Sequence, residues 1–405
     1  MKKLEVLAPV GDYERLITAI HFGADAVYFA GKKFGLRAFA NNFDEKEIKD
    51  VVEYCHSKGV KAYVAVNILA HNSDFDGLLD YLKYLDSVGV DGVIVSDLGI
   101  ANMVVENTKM ELHVSTQANI TNKESAKMWV KLGAKRLVLA RELSISEIKE
   151  IKEAVGEDID IECFCHGAMC ISYSGRCLLS NYFVGRDSNK GACAQPCRWE
   201  YTIHSENKQN DVPGEFPISE DARGTYIMNS KDMCLIEHIK ELVEAGITSF
   251  KIEGRMKTPY YVATTVNAYK KAIKDYLNGS EPSFNYVEEL EKTSHRLFTT
   301  GFYFGAYDKT NLVSATPVQS HDFIGIVVED SHDGKVLIEM RNKFVRGDIL
   351  EILSPSESFN KQIVVDKVED EEGNILEIIN KVQSKVYIFT DAKLHKNDII
   401  RRKVG

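Results

Sequence analysis

One phrase recurs along the first two-thirds of the chain, in which a glycine ends an amphipathic helical pattern and a short apolar run follows it. The four copies are 22–31 (FGADAVYFAG), 88–97 (VGVDGVIVSD), 132–141 (LGAKRLVLAR) and 245–254 (AGITSFKIEG). Glycine ends a helix readily because it adopts the left-handed conformation without a Cβ clash. A short β-branched run after it is typical of a buried strand. The phrase therefore predicts the helix-to-strand turn of a repeating β/α unit.

Apolar runs and amphipathic stretches fill the gaps between these copies. Four further strands are predicted at 4–10, 61–67, 111–119 and 159–165, and the predicted helices include 45–59, 76–89, 122–133, 144–155 and 260–277. Eight strand–helix units in about 250 residues are the number that a (β/α)8 barrel requires. A doubly wound open sheet is the alternative, but the G-x-G-x-x-G turn of its dinucleotide-binding version is absent from the sequence. We predict an α/β protein with a TIM-like (β/α)8 barrel over 1–280.

The rest of the chain divides by composition. The stretch after the seventh strand is far longer than an ordinary loop and helix, and its cysteine-rich part, about 163–235, is predicted to be an insertion on the functional face. A connector over 281–319 leads to short alternating strands with hairpin turn signals, which predict a small all-β barrel over 320–405. Its last segment, KLHKNDIIRRKVG, is locally basic, and is either solvated charge or an edge that meets phosphate backbone.

Reactive groups in a barrel of this kind lie at the C-terminal ends of the strands and in the loops that follow. The polar residues predicted there are Tyr28, Asn67, Asp97, Gln117, Asn119, Arg141, Glu142, Glu162, His166, Lys251, Glu253 and Arg255. From these ends and the insertion we predict catalytic roles for Glu162, His166, Lys251 and Glu253, and substrate binding for Arg141, Arg176, Arg255, Gln117, Asn67 and Tyr28. The cations suit a carboxylate or a phosphate group. A salt-bridge network at the rim with Glu142 and Glu253 is the structural alternative.

Six of the eight cysteines lie within 162–199, and this local concentration needs a local reason. Four of them have the spacing C-x6-C-x15-C-x3-C: Cys170, Cys177, Cys193 and Cys197. That spacing indicates four converging thiolates without specifying the metal, because zinc sites favour pairs two to four residues apart and ferredoxin runs differ. Cys163 and Cys165 are predicted to be buried on a strand. Cys234, at the start of a predicted helix, is either a core residue or a substitute ligand.

Other classes of protein find less support. The sequence has no H-E-x-x-H, G-x-S-x-G or P-loop motif, and a nucleophile pair of Cys165 with His166 is disfavoured because strand neighbours point to opposite faces. The net charge of −10 argues against indiscriminate nucleic-acid binding, although not against one basic face. No apolar run approaches the roughly 18 residues of a membrane helix. We expect a cytoplasmic protein, in whose reducing compartment clustered cysteines are ligands more often than disulfides.

The segment ECFCHGAMCISYSGRCLLS resembles the signature of the collagenase-like peptidase family U32. The matching residues are Glu162, Phe164, Gly167, Ala168, Cys170, Gly175, Cys177 and Ser180. The resemblance extends through GACAQPCRW, NSKDMC, FKIEGRMK and TTGFYFG, so it covers nearly the whole chain.

The resemblance implies one of two activities. Collagenase activity is attributed to some members, whereas others carry out oxygen-independent hydroxylation of a tRNA wobble uridine, a ribosomal RNA cytidine or the ubiquinone ring. The length, the C-terminal barrel and the C-x3-C pair look most like the tRNA branch, which makes 5-hydroxyuridine with a prephenate-linked donor and a [4Fe–4S] cluster. The implied cluster ligands are Cys170, Cys177, Cys193 and Cys197, with Cys234 as the alternative to Cys197.

The partners follow from the same resemblance. We expect the anticodon arm of tRNA and a small anionic co-substrate, prephenate, to bind, and we expect no membrane association. A collagenase-like peptidase and a non-catalytic RNA-binding protein with structural metal are the rival functions. The sequence leaves open whether a paralogous partner subunit is required.

Overall fold

Eight parallel strands alternate with helices in the first part of the protein. The structure, a computed structural model, describes residues 3–35, 42–170, 172–173, 177–186, 193–199, 219–221, 224–226, 231–305 and 317–404, with the backbone alone at 198, 219–221 and 224–226. The elements of this part are β1 (Glu5–Pro9), α1 (Tyr13–His21), β2 (Ala26–Phe29), α2 (Glu45–Ser57), β3 (Lys61–Val66), α3 (Leu78–Ser87), β4 (Gly92–Val95), α4 (Leu98–Asn107), β5 (Glu111–Val114), α5 (Lys123–Lys131), β6 (Arg136–Val138), α6 (Ile145–Val155), β7 (Asp160–Ala168), α7 (Leu179–Val184), β8 (Ser219–Asp221), β9 (Gly224–Tyr226), β10 (Asp232–Cys234), α8 (Ile239–Glu244), β11 (Ile247–Ile252), α9 (Pro259–Asn278) and α10 (Tyr286–Leu290).

The barrel strands are β1 to β7 and β11, paired in that order, and β11 pairs with both β1 and β7, which closes the ring. The repeated phrase of the sequence has the expected geometry: Gly23, Gly89, Gly133 and Gly246 all have positive φ and each lies between a helix and the next strand. The predicted TIM-like (β/α)8 barrel is therefore confirmed.

Side chains between the strands and the helices form the main core. Helices begin where side chains accept hydrogen bonds from unpaired backbone N–H groups, as Asp44 does for α2 and Ser144 for α6, each in a reciprocal pair with a glutamate three residues on. Apolar faces of the helices then pack on strands that are apolar on both sides. A separate small cluster inside the barrel contains Leu7, Ala26, Tyr28, Tyr63 and Ile94.

Strand β7 is longer than its neighbours and leaves the barrel at its C-terminal end. There it pairs antiparallel with β10, so that Asp232 lies opposite Ala168 and Cys234 opposite His166. The prediction that Cys234 starts a helix is wrong, because it ends a strand that the longer β7 pairs with. The helical turn begins only at Ile236.

The C-terminal part is all-β, as predicted. Its elements are β12 (Phe298–Thr299), which pairs with β10, and then β13 (His321–Val327), β14 (Lys335–Met340), β15 (Phe344–Val345), β16 (Ile349–Leu353), β17 (Gln362–Val364), β18 (Val368–Asp370), β19 (Ile378–Ile379), β20 (Lys385–Phe389) and β21 (Ile399–Lys403). Seven of these form one antiparallel sheet in the order β17-β16-β21-β13-β14-β20-β18. Because the two edge strands are separated only by 365–367, the sheet curls into a half-barrel over its own apolar core.

The basic C-terminal segment joins the two parts of the protein. Arg401 is fully buried, and its guanidinium donates hydrogen bonds to the Glu289 carboxylate at 2.7 and 2.9 Å. Arg402 pairs with Asp322 and Asp348. Both interpretations of this segment, solvated charge and phosphate contact, are wrong for these two arginines, because their charges are neutralised within the protein. In the part of the chain that the structure describes, we find no helix with the length and apolarity needed to cross a membrane.

Candidate active site

A buried cluster of charges occupies the interior of the barrel. Glu162 on β7 is fully buried, and its carboxylate accepts hydrogen bonds from Lys251 Nζ at 2.6 Å and Arg136 Nη1 at 3.1 Å. Arg136 also donates to Glu5 at 2.5 Å, and Ser249 donates to Glu5 at 2.8 Å. Since Glu5 and Arg136 each begin a strand, this cluster lies in the lower half of the barrel. The prediction that Glu162 stands at the C-terminal end of its strand is wrong, because β7 continues for six more residues.

The charges of this cluster neutralise one another. Burial acts to raise the pKa of Glu162, but the Lys251 and Arg136 cations outweigh it, and the pKa lies below the ordinary value. Burial lowers the pKa of Lys251, and Glu162 partly offsets that effect. Two carboxylates, from Glu5 and Glu162, thus face two cations. Lys251 is therefore an internal partner of Glu162 and adds little charge for an anionic substrate at the mouth.

Tyr28 separates Lys251 from the barrel mouth. The Lys251 ammonium lies 4.3 Å from the centre of the Tyr28 ring, a cation–π contact, and the Tyr28 hydroxyl donates to the Ile252 carbonyl at 2.9 Å. Tyr28 is 5% exposed, so its place is that of a packing residue. Its prediction as a substrate-binding group is not supported by this position.

Arg141 lies beside the start of the cysteine-rich segment, at the C-terminal end of β7. Its guanidinium stacks on the Phe164 ring at 3.8 Å, donates to the Ala168 carbonyl at 2.9 Å and approaches Glu253 at 3.5 Å. The rim contact between Arg141 and Glu253 is the salt bridge that the sequence offered as the alternative to an anion pocket. Because 3.5 Å separates the two side chains, the Glu253 carboxylate neutralises the charge of the Arg141 guanidinium only in part. Arg255 is buried at the same end, and Arg176 lies outside the described residues.

His166 does not face the barrel mouth. Its ring packs against Tyr261, Tyr269 and Phe298 with centroid distances between 5.5 and 5.9 Å, and it is 2% exposed. Burial lowers its pKa to about 3, so the imidazole is neutral at pH 7. The prediction that His166 lies at the barrel mouth is wrong. The pairing of β11 with β7 has a bulge after Lys251, and beyond it this part of β7 faces α9.

Four cysteines follow the end of β7 at the mouth. Cys170 and Cys193 are exposed and Cys177 and Cys197 are half-buried, and none forms a disulfide. Desolvation raises the pKa of Cys170, Arg141 lowers it, and negative charge on Cys177 and Cys193 would raise it further. Arg141, Cys177 and Cys193 therefore lie within electrostatic range of the Cys170 thiol.

The four thiols are of the donor type that a [4Fe–4S] cluster uses, with one cysteine thiolate at each iron. Within the described ranges, no three His, Cys, Asp or Glu side chains converge closely enough to hold one metal ion. Cys234 is buried on β10 beside Cys165 and Tyr269, and burial raises its pKa to about 12. It belongs to the core, and this position favours Cys197 as the fourth ligand.

A cleft of about 800 Å³ opens beside the cysteines, between the ends of β4 and β5 and helix α5. Gln117 lines it, and Asn67 supports it from below through a hydrogen bond to Ser115 at 3.1 Å. The sequence did not indicate Trp129 or Leu178, which also line the cleft. They come from different elements and are apolar, so only the folded chain brings them together.

Models of known families match two consecutive parts of the chain. Residues 11–312 match peptidase family U32, and residues 319–401 match the peptidase family U32 C-terminal domain. The chain belongs to peptidase family U32. A U32 relative from Bacillus subtilis (strain 168), "tRNA hydroxylation protein P1", is 41% identical over 99% of this chain and 95% of its own length.

Two further relatives have different names. "tRNA hydroxylation protein P" of Escherichia coli (strain K12) is 35% identical and covers 93% of this chain and 92% of its own. "Collagenase" of Porphyromonas gingivalis (strain ATCC BAA-308 / W83) is 36% identical and covers 74% of this chain and 73% of its own. Membership of family U32 therefore does not distinguish hydroxylation from proteolysis, and the residues of the site must be used to distinguish them.

Two residues of the U32 signature have a structural reason in this protein. Glu162 balances the buried cations of the barrel. Gly167 has φ of +108°, and a Cβ at this position would lie 2.7 Å from the Glu253 carbonyl oxygen, so a side chain would push β7 away from the end of β11. The close approach of β7 to the end of β11 therefore fixes the position of Cys170, which follows β7 in the chain.

Proposed function

We propose that this protein is a tRNA-modifying hydroxylase, which converts a wobble uridine to 5-hydroxyuridine without molecular oxygen. The observation that carries the proposal is the similarity over almost the full length of both chains to relatives named tRNA hydroxylation proteins. We further propose a [4Fe–4S] cluster on Cys170, Cys177, Cys193 and Cys197, and a hydroxyl donor derived from prephenate. Four free thiols at the mouth of a barrel support the first of these.

The cluster, when bound, supplies electron-transfer chemistry at the mouth. The protein's own residues then have positioning roles. Arg141, stacked on Phe164 and held by the Ala168 carbonyl, presents a partly neutralised cation beside Cys170, which suits a small carboxylate donor. Glu253 opposes it at 3.5 Å and sets the direction of the guanidinium. The neutralised pair of Glu162 and Lys251 supports this arrangement from below.

Proteolysis is the second candidate, because one relative is named a collagenase. A cysteine peptidase needs a base within hydrogen-bond reach of its thiol. His166 contacts three aromatic rings, two from α9 and one from β12, and burial lowers its pKa to about 3. These contacts favour hydroxylation over a nucleophilic peptidase built on His166.

The test begins with anaerobically purified protein. We expect a broad brown absorbance band, with about four irons and four sulfides per chain. Cys170→Ala and Cys193→Ala should lose iron, whereas the matched control Cys55→Ala, buried on α2 far from the site, should keep it. A colourless and iron-free wild type under strict anaerobiosis would contradict the cluster. Peptide cleavage that needs no iron and survives Cys170→Ala would establish the peptidase instead.

A further inference from the structure

The cleft beside the cysteines has an unusually apolar lining. Its apolar residues are Leu69, Leu98, Met128, Trp129, Leu132 and Leu178. Leu98, Met128 and Leu178 are 60%, 56% and 69% exposed. Contiguous apolar surface of this kind on a soluble protein marks a binding site more often than chance exposure. A volume of about 800 Å³ is within the range of small-molecule sites.

Gln117 offers an amide group to a ligand in the cleft. The side-chain amide of Gln117 makes no hydrogen bond to any described residue, while its backbone N–H donates to Ser115 Oγ at 3.2 Å. Ser115 is buried and also accepts a bond from Asn67, so the floor beneath Gln117 is fixed. Asp97 Oδ1 caps α4 by accepting from the backbone N–H groups of Gly99 and Ile100. Gln117 supplies both a donor and an acceptor to a ligand in the cleft.

A primary amide presents one donor and one acceptor side by side. The edge of uracil offers the complement, an N3–H donor beside an O4 acceptor, and an amide can pair with both at once. Flat apolar walls suit the faces of a base. The combination of an apolar cleft and the Gln117 amide therefore fits an unpaired pyrimidine.

The surroundings of the cleft suit a nucleotide rather than a free base. Lys131 lies at the C-terminal end of α5, the helix that forms one wall of the cleft, and directly precedes Leu132, which lines it. Lys127 pairs with Glu124, but Lys131 is exposed and has no carboxylate partner among the described residues. A phosphate group next to the base could bind to the Lys131 ammonium. Leu178, which also lines the cleft, directly follows Cys177.

We propose that this cleft binds the target pyrimidine of an unpaired RNA loop, with Gln117 pairing to the edge of the base and Lys131 contacting a neighbouring phosphate. The assignment rests on the proposed function and specifies its substrate subsite. A base must leave its stack to enter such a cleft. Once there, it lies beside the segment that carries Cys177, where the chemistry would occur.

The chain has two tryptophans, which make the binding test specific. Trp129 lines the cleft, so Trp199→Phe leaves a single fluorophore at the site. Cluster-loaded protein with this substitution is titrated anaerobically with a uridine pentanucleotide, and a fluorescein-labelled copy reports total binding by anisotropy. We expect Trp129 emission to change with the same midpoint as the anisotropy. Gln117→Leu should weaken binding about tenfold or more, and the exposed Gln362→Leu on β17 should leave it unchanged.

A second variant tests the cleft without touching Gln117. Met128→Glu places a negative charge on the α5 wall and should also weaken binding, whereas Leu277→Glu, an equally exposed apolar position on α9, should not. Equal affinity in all four variants, or RNA binding that leaves Trp129 emission unchanged, would overturn the assignment.

Hydroxylation in cells separates this assignment from the function on which it rests. A deletion strain that loses 5-hydroxyuridine, and regains it equally with wild type and Gln117→Leu, would refute the cleft alone. A deletion strain that keeps 5-hydroxyuridine would refute the proposed function together with the cleft.

Discussion

Replacing Glu162 by glutamine tests whether this residue belongs to the framework of the barrel. The substitution preserves shape but removes the carboxylate that, among the residues the structure describes, alone forms an ion pair with Lys251, at 2.6 Å, and one of the partners of Arg136, at 3.1 Å. Breaking a buried ion pair by removing one partner costs about 3–5 kcal/mol, since the other charge stays buried. We therefore expect Glu162→Gln to lower the free energy of unfolding by about this amount, measured from the midpoint of urea denaturation.

The double variant Glu162→Gln/Lys251→Met provides the control. It removes one charge of each sign and leaves Arg136 with Glu5, so it should regain at least half of the lost stability. Stability within about 1 kcal/mol of wild type for the single variant, the value of an exposed pair, would refute the reasoning. So would a double variant that is less stable than the single one.

The pH dependence of the same variant has a defined sign. Because the folded pKa of Glu162 is lowered, its ionised form stabilises the protein fully above the ordinary glutamate pKa of about 4.3. That contribution is lost as the pH falls through the lower folded pKa. The stability gap between wild type and Glu162→Gln should therefore narrow in acid.

Two further substitutions test positions that the structure reassigns. His166→Phe should keep hydroxylation within a few-fold of wild type, because the ring packs among aromatic side chains; a loss of 100-fold or more, typical of a missing general acid or base, would restore its predicted catalytic role. It should also reduce the loss of stability between about pH 6.5 and 3, because folded wild type must keep His166 unprotonated in that range and the variant has no imidazole at this position. Arg401→Ala should cost about 3 kcal/mol, since it removes both guanidinium hydrogen bonds from the buried Glu289 and leaves it with Lys292 at 3.0 Å, whereas Arg402→Ala, at a partly exposed pair, should cost about 1 kcal/mol or less; equal melting temperatures for these two variants would contradict the account of the interface.

The barrel could be predicted because its signals are local. A glycine with positive φ at each helix end, such as Gly23 and Gly133, and an apolar run after it depend only on neighbours in sequence. The depth of Glu162 could not be predicted in this way. It depends on where β7 ends, and β7 is extended by pairing with β10, which is far away in sequence.

The candidate site was only partly predictable for the same reason. Gln117 was found because it follows a strand, and the rule about strand ends is general. The cleft that it lines needs Trp129 from α5 and Leu178 from the cysteine-rich segment, and no pattern in the sequence relates them. The burial of Arg401 likewise depends on a contact with Glu289 across two parts of the fold. The ligand role of the four cysteines stays a prediction.

The measurement closest to the central claim is the mass spectrum of nucleosides from tRNA of a strain in which this gene is deleted, grown with and without oxygen. The proposed function predicts that 5-hydroxyuridine at the wobble position is lost under both conditions, and that wild type restores it. Cys170→Ala should not restore it, whereas Cys55→Ala should. Unchanged 5-hydroxyuridine in the deletion strain, or full restoration by Cys170→Ala, would contradict the account.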